Sequence, residues 1–578
     1  MKRLAGALPA AVLGAIAVGL LLFAALPLGV VVARALGFPG TIHAFGWLGS
    51  LAEPERRQAL LATLETAAGS TALAVALGVP LALALTRLDV ARPALWRALL
   101  SLPAAVPPYL WGIAWIDLAN PRTGLLNQAA EALGADAPVF GIYGLAGIVW
   151  VLGLSFFPLI LLPVAAALER MDASLEESAR IAGASPARAL RQITLPLIAP
   201  SIASAAVLVF LLAAAAYGVP YLLGTGGSRR VFVLTTAIVN LVNVGGEKSL
   251  ADAMALALVL LAVSLAVSAL GGLAARGERR RAVVTGKSQR PRLIQLGRGA
   301  RVTVHGALAL TVGIAVVMPV ATLVLVSLIE SWAAASAPRT GASRATCVLV
   351  TNHETPPALA RSVWLGVLAA SLATVVGAIV GYARRRRPGL ATRAIEALAN
   401  APYAVPGTVL AMGLLFAWSR EVRFIVADRL TIAVDLFAGS AALAVAYVVK
   451  YLSFGVRTTA SALAQLDPTL EEAARVSGAR PARAAIDVVV PLITPALAAT
   501  WLLVFLPVLS EITMSVLLVG PGTSVIGTVL FELQSYADPP AAAVVATVLV
   551  AATLAGQLAL RAVRSPRARG AAAALPKA

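Results

Sequence analysis

The chain has 578 residues, 60% of them hydrophobic and only 13% Asp, Glu, Lys or Arg, against roughly 25% charged residues in an ordinary soluble domain. So many apolar side chains cannot all be buried in water-soluble domains of usual size, which excludes a soluble enzyme. A formal charge of +19 would ordinarily point to nucleic acid. Here the basic residues are dispersed among short loops without interleaved aromatics, so no nucleic acid is expected and charge sorted across a bilayer is the better reading.

Crossing about 30 Å of hydrocarbon takes some 20 apolar residues. In chain order, such runs lie near 8–33, 58–86, 98–118, 139–166, 197–222 and 251–274, then near 302–329, 359–382, 394–418, 434–458, 493–518 and 540–560. The first follows Met1-Lys2-Arg3. It is far longer than the roughly 7–15 apolar residues of a secretory signal and lacks a clean cleavage site, so it reads as a retained span. Alternating sides from a cytoplasmic N-terminus puts 32 Lys and Arg inside and 13 outside, with Lys450 near an inner membrane face. With acids assigned the same way, the inner face carries +21 and the outer face −3. This asymmetry predicts a multi-pass protein of a bacterial inner membrane with both termini cytoplasmic.

Residues 275–301 form a polar basic linker between two halves. Gly286-Lys287-Ser288 within it resembles the end of a phosphate-binding loop. The position that should hold the first glycine is Arg281, however, and no apolar strand precedes it. The tripeptide therefore reads as a chance match, and ATP, if used, belongs to another chain.

The halves are copies. Residues 175–200 (LEESARIAGASPARALRQITLPLIAP) match residues 470–495 (LEEAARVSGARPARAAIDVVVPLITP) at 15 of 26 positions, at an offset of 295. Ala105-Val106-Pro107 answers Ala404-Val405-Pro406 at an offset of 299. Internal duplication of this kind sets the architecture. Each long repeat falls on the cytoplasmic side and reads as helix, break, helix. Asp172 or Asp467 caps the start, and Glu176-Glu177 or Glu471-Glu472 suit the positive end of the helix dipole. Gly183 or Gly478 supplies the left-handed stop, Pro186 or Pro481 opens the second helix, and Pro196 or Pro491 leads into the next span. A loop that merely connected two spans would not keep this detail twice.

The pattern Glu-Ala-Ala-x3-Gly-x9-Ile-x-Leu-Pro resembles that of permease subunits of binding-protein-dependent ABC importers. Glu177, Ser178, Ala179, Gly183, Ile193, Leu195 and Pro196 carry it in the first half. In the second, Glu472, Ala473, Ala474, Gly478 and Pro491 carry it, with Val488 and Val490 at the Ile and Leu positions. Two fused halves resemble the iron(III)/thiamine branch, as do Gly218-Val219-Pro220-Tyr221-Leu222-Leu223-Gly224 and Glu511-Ile512-Thr513-Met514-Ser515. The resemblance implies an all-α integral membrane protein of about twelve transmembrane helices in two repeated six-span halves, the type I importer permease fold. It implies that Glu176, Glu177, Ala179, Gly183 and Pro196, with Glu471, Glu472, Ala474, Gly478 and Pro491, form coupling helices seated on an ABC ATPase dimer. It also implies a periplasmic or extracytoplasmic solute-binding protein. Where this branch often has an acid in its first half, Ala216 and Tyr217 stand instead; the second half keeps Glu511.

The expected division is an N-terminal span and outer loop (1–57), a first permease domain (58–274), the linker (275–301), a seventh span and outer loop (302–357), a second permease domain (358–562) and a cytoplasmic tail (563–578). Glu511, in the outer part of a span, either lines the translocation path or is held by hydrogen bonds or headgroups. Glu65, Asp117 and Glu330 are expected to be solvated near span ends, and Lys450 to snorkel to the inner face. His43, His305 and His353 are scattered, without metal-ligand spacing. Cys347 is the single cysteine, which excludes a disulfide framework within the chain. No catalytic residue, metal site or cofactor of the chain's own is expected; ATP belongs to the partner ATPase. A secondary, ion-coupled transporter with two repeated halves is the alternative, and the cargo stays open among iron(III), thiamine and small cations or phosphonates.

Overall fold

The computed structural model describes residues 10–38, 46–172, 174–227, 230–281, 293–328, 348–349, 353–418, 422–427, 430–434 and 440–564. His43, Gly286-Lys287-Ser288, Glu330 and Cys347 lie outside them. Among the described residues nine helices are long and apolar enough to cross a membrane: Ala11–Ala35, Pro54–Arg87, Leu145–Arg170, Pro186–Ala214, Glu247–Gly272, Arg298–Ser327, Thr355–Arg386, Pro481–Leu509 and Pro539–Arg561. Two of the runs expected as single spans are instead broken. Pro93–Ala105 and Pro108–Ala119 meet at 94°, and Leu390–Ala404 and Gly407–Trp418 meet at 112°. Both bends fall on the repeated Ala-Val-Pro, where proline forbids a continuous helix. With each bent pair taken as one span these make eleven. The remaining expected run coincides with the 24-residue helix Ala441–Ala464. A two-stranded antiparallel hairpin, Val422–Ala427 with Leu430–Val434, adds a small β element to the otherwise helical fold.

Small residues at every fourth position let the helices approach. Ala74, Gly78 and Ala82 are buried on Pro54–Arg87, and Ala373, Gly377 and Gly381 on Thr355–Arg386, offset by 299. A Cβ on Gly78 would come within 2.7 Å of the Ile160 Cβ, and one on Gly377 within 2.6 Å of the Gly455 backbone. Such stripes replace hydrophobic driving force with close packing, because lipid is as apolar as the side chains. The first helix of each half reaches across to the other half. Leu26–Ala35 packs on Gly407–Trp418, with Phe23 stacked on Trp418 at 5.2 Å, and Met318–Ser327 packs on Pro108–Ala119.

The π turns Leu21–Ala25, Leu190–Thr194, Gly313–Val317, Ala485–Val489 and Leu533–Ala537 each end two residues before a proline. A proline donates no hydrogen bond to the turn before it, and the widened turn absorbs the mismatch. The helices Pro186–Ala214 and Pro481–Leu509 stop short of the ends expected from hydropathy. Short helices Gly218–Thr225 and Ser515–Leu518 follow, so that Glu511 sits in a break and not on a continuous span. Beyond them Leu234–Val244 and Ile526–Glu532 begin against matched hydroxyls. Leu234 N donates to Thr63 Oγ1 and Ile526 N to Ser362 Oγ, both at 2.8 Å.

Replacement Gly455→Val would press a side chain into the Ala373 carbonyl, 2.2 Å from the position of its Cβ. Overpacking of this kind costs about 1–3 kcal/mol, so a lowered midpoint of thermal unfolding in detergent is expected. Gly306→Val, at an open position, should leave that midpoint unchanged.

Candidate functional site

The two repeats fold alike. Ser174–Ile181 is capped by Asp172, whose Oδ1 accepts from Ser174 N at 2.9 Å, and Thr469–Val476 by Asp467, whose Oδ1 accepts from Thr469 N at 3.0 Å. The Thr469 N–H bond holds the Asp467 carboxyl below the usual carboxylate range. Gly183 and Gly478 stop these helices at φ +87° and +93°. Ala184 N then donates to the Ala179 carbonyl at 2.9 Å, and Ala479 N to the Ala474 carbonyl at 3.0 Å. This six-to-one closure is the Schellman stop, and it explains the fixed distance between the alanine and the glycine. Pro186 and Pro481 open the second helical turn, and the π turns before Pro196 and Pro491 carry it into the next helix.

The structure separates the paired glutamates. Glu176 turns inward, its Oε1 accepting from Thr194 Oγ1 at 2.6 Å and from Arg87 Nε at 3.3 Å. Glu471 turns inward likewise, accepting from Tyr382 OH at 3.0 Å and pairing with Arg386 Nη2. Glu177 and Glu472 stay exposed. Arg87 is only 6% exposed and also donates to the Leu168 carbonyl at 3.3 Å. Each inner carboxylate therefore ties its short helix to the end of its own half's long helix, Pro54–Arg87 or Thr355–Arg386. Sequence reasoning counted Arg87 and Arg386 only as loop charges. Their common offset of 299, the same as that of the Ala-Val-Pro repeat, is the signal that links them. The outer faces are apolar as well as acidic: Ile181 and Val476, equivalent residues, are each 88% exposed.

In the first half the end of the linker joins this assembly. Ile294 N donates to the Arg87 carbonyl at 2.8 Å, Leu296 N to Asp89 Oδ1 at 2.8 Å, and Arg301 Nη2 to Asp89 Oδ2 at 2.6 Å. The Leu296 N–H, and with it Arg301, holds the Asp89 carboxyl below its usual range. His305, expected to be incidental, accepts from Ala91 N through Nε2 at 3.2 Å.

Away from the two repeats, the helix breaks bring the halves together. Tyr109 OH donates to the Ser510 carbonyl at 3.1 Å. Phe531 lies against three first-half tyrosines, with centroids 5.7 Å from Tyr109, 6.1 Å from Tyr217 and 5.4 Å from Tyr221. Gly218 is where this contact is tightest, since a Cβ there would meet the Tyr109 Cβ at 2.7 Å. Glu511, next to Ser510, is buried and accepts from Met514 N at 3.0 Å and from Ser515 Oγ at 2.8 Å. Ser515 Oγ in turn lies 2.7 Å from Tyr447 OH.

Two expectations need correction. Lys450 does not snorkel to the inner face. It lies on the early part of Ala441–Ala464, and its Nζ donates to the Val405 carbonyl at 2.5 Å and the Tyr403 carbonyl at 3.3 Å. Those carbonyls are freed by the 112° break, and a cation suits a helix C-terminus. The first half solves the same problem with Trp111, whose indole donates to the Pro103 carbonyl at 3.0 Å. Nor is Asp117 solvated: it is 3% exposed, and its Oδ2 has no hydrogen-bond partner.

The sequence matches the family described as binding-protein-dependent transport system inner membrane component twice, over residues 74–280 and 373–565. The chain belongs to this family. It is an ABC importer permease, a transport component and not an enzyme. It is 26% identical over 483 residues to the Fe(3+)-transport system permease protein FbpB 2 of Haemophilus influenzae, covering 82% of this chain and 84% of that protein. The putative ferric transport system permease protein FbpB 1 of the same organism is 25% identical, covering 73% of this chain and 64% of the relative. The molybdenum transport system permease protein ModB of Mycobacterium bovis is 32% identical over 209 residues, 36% of this chain and 76% of that protein.

The permease's inner ion pairs are testable by a double-mutant cycle on Glu471→Gln and Arg386→Gln, read as unfolding midpoints in detergent. Contacting charged partners of this kind couple by roughly 0.5–3 kcal/mol. Additive effects would mean that the pair does not hold the short helix.

Proposed function

We propose that this chain is the fused membrane subunit of an ATP-driven importer of iron(III), loaded by an extracytoplasmic binding protein and driven by an ATPase dimer. What carries the reading is the duplicated cytoplasmic unit: a capped helix, a glycine stop, an inward carboxylate tied to a long helix, and an exposed apolar residue beside an exposed acid. Ile181 with Glu177 and Val476 with Glu472 are the knobs that enter the grooves of the two ATPases. Ala179, Gly183 and Pro196, with Ala474, Gly478 and Pro491, set the shape of the units that present them. Glu176 and Glu471 pass displacement to Pro54–Arg87 and Thr355–Arg386. The two units suit a two-fold pair of motors.

ATP is bound and hydrolysed on the partner, and closure of the ATPases draws the two units together and opens the cavity outward; hydrolysis resets it. Glu511, beside the Tyr109–Ser510 contact between halves, lies on the path that this motion opens. The chain sits in a bacterial inner membrane with both termini cytoplasmic, as the +21 inner and −3 outer faces support. Iron(III) ranks ahead of thiamine and of phosphonates because the ferric relatives align over both halves. The molybdenum and 2-aminoethylphosphonate relatives align over little more than a third of the chain. An ion-coupled transporter would have no use for two matched cytoplasmic helices.

The test is uptake of labelled iron(III) into proteoliposomes holding the permease, its ATPase and the binding protein, with and without ATP. Gly478→Val, which forces a side chain into the left-handed region, combined with Glu472→Ala, should cut uptake by about tenfold or more, equivalent to about 1.4 kcal/mol. The variant should still insert in the membrane. Normal uptake by that variant with its ATPase bound would refute the coupling assignment, and uptake driven by an ion gradient without ATP would refute the importer reading.

A further inference from the structure

The helix Pro186–Ala214 leaves the first repeated unit, and beyond its far end lies a cavity of about 610 Å³, within the usual range for sites that enclose a small organic ligand. The short helix Gly218–Thr225 and the residue before it form one wall through Tyr221 and Tyr217. Helix Leu234–Val244 forms another through Thr236, Asn240 and Asn243, which are four and then three residues apart and so share one face. The second half closes the cavity with Gln534 and Ser535, on the π turn Leu533–Ala537. Ring contacts fix this junction, with Phe531 at 6.1 Å from Tyr217 and 5.4 Å from Tyr221. The lining is mainly polar and its charge is one-sided. Arg230 stands on it, whereas no Asp, Glu, His or Cys does; Asp117, next to the lining residue Ile116 in the chain, does not face it. The side chains of Arg230, Asn240 and Asn243 are exposed, and among the described residues they hold no hydrogen bond with the rest of the chain.

We infer that this cavity binds an anion carrying several oxygens, and that iron(III) crosses the permease inside such an anionic complex and not as a bare cation. Like charges repel strongly away from bulk water, so a naked trivalent ion would meet Arg230 with no carboxylate on the lining to offset the repulsion. A carboxylate or oxyanion meets the opposite. Arginine offers a fork of N–H donors that matches such oxygens, and charge-assisted hydrogen bonds are the stronger kind. Asn240 and Asn243 add amide N–H donors, and Ser535 adds a hydroxyl. No hydrogen bond on Oε1 fixes which end of the Gln534 amide faces the cavity, so it too can present its N–H groups. The tyrosine rings supply an apolar face for the carbon skeleton of a chelate. One cation among neutral donors makes a weak site, as a path that must release its cargo requires. Arg230 belongs to the first half and Gln534 to the second, so separating the halves pulls the donor set apart. That iron is the metal carried rests on the importer reading; the anion site does not.

The full-length chain in phosphatidylcholine nanodiscs is tested by equilibrium dialysis, without ATPase or ATP. The probes are radiolabelled iron(III) held as its citrate complex, molybdate, and terbium(III) as a bare cation. Saturable binding of the citrate complex is expected, weakened about tenfold or more in Arg230→Gln, weakened also in Asn240→Leu, and largely kept in Arg230→Lys. All three variants change exposed side chains and should keep the wild-type unfolding midpoint. Three results would overturn the site: terbium(III) bound in place of the citrate complex, neither anion bound at millimolar concentration, or equal binding by wild type, Arg230→Gln and Asn240→Leu. Molybdate bound in place of the iron complex, with the same dependence on Arg230, would support the anion site and overturn iron as the metal it carries. Binding of the complex with that dependence, alongside uptake that needs no ATP, would uphold the site and sink the importer reading.

Discussion

Hydrocarbon offers no hydrogen bonds, so every backbone group freed by a break in a membrane helix must be matched by the protein itself. This chain breaks its helices repeatedly, at the two Ala-Val-Pro segments and again before Gly218 and Ser515, and each break is answered locally. Trp111 serves the carbonyl of Pro103, and Lys450 serves those of Tyr403 and Val405. Glu511 and Ser515 serve the start of a short helix. The hydroxyls of Thr63 and Ser362 serve two more helix starts. These donors and acceptors fix where the breaks lie, and at Tyr109 and Ser510 two of the breaks also join the halves.

Duplication supplied the frame and divergence supplied its polarity. The two repeated units agree down to their glycine stops and Schellman bonds, and each is tied by an inner glutamate to an arginine at the end of a long helix. At the junction between halves the agreement ends. Phe531 meets three tyrosines of the first half, whereas its counterpart, at the offset of 292 that relates the capping threonines Thr236 and Thr528, is Val239. A matched pair of short helical units is thus joined to an unmatched junction between the halves.

Much of this was legible from the residues. Hydropathy located the helices and the offset of 295 located the two repeated units. Local chemistry also foretold their caps and stops, because Asp, Gly and Pro act on neighbours a few positions away. What was missed depends on distance along the chain. Nothing near Glu176 announces Arg87, and nothing near Lys450 announces the carbonyl of Val405. Asp117 looks like a span-end acid in sequence because its burial is imposed by the surrounding fold, including the loop that brings Tyr143 near it. The prolines that broke the expected spans were visible, but hydropathy averages over them.

The sequence by itself determined that the chain lives in a membrane, that its two halves are copies, and which residues form the repeated short helices and end them. Those features follow from composition, periodicity and short-range backbone preference, which act residue by residue. Only the tertiary structure decided which of each pair of glutamates faces inward, which side chain donates to the carbonyls at each helix break, and that the Asp117 carboxyl is buried. These are outcomes of packing. In a low-dielectric interior the partner of a polar group is whichever one the fold brings within reach, and for Glu176 and Arg87 that partner lies 89 residues away in the chain.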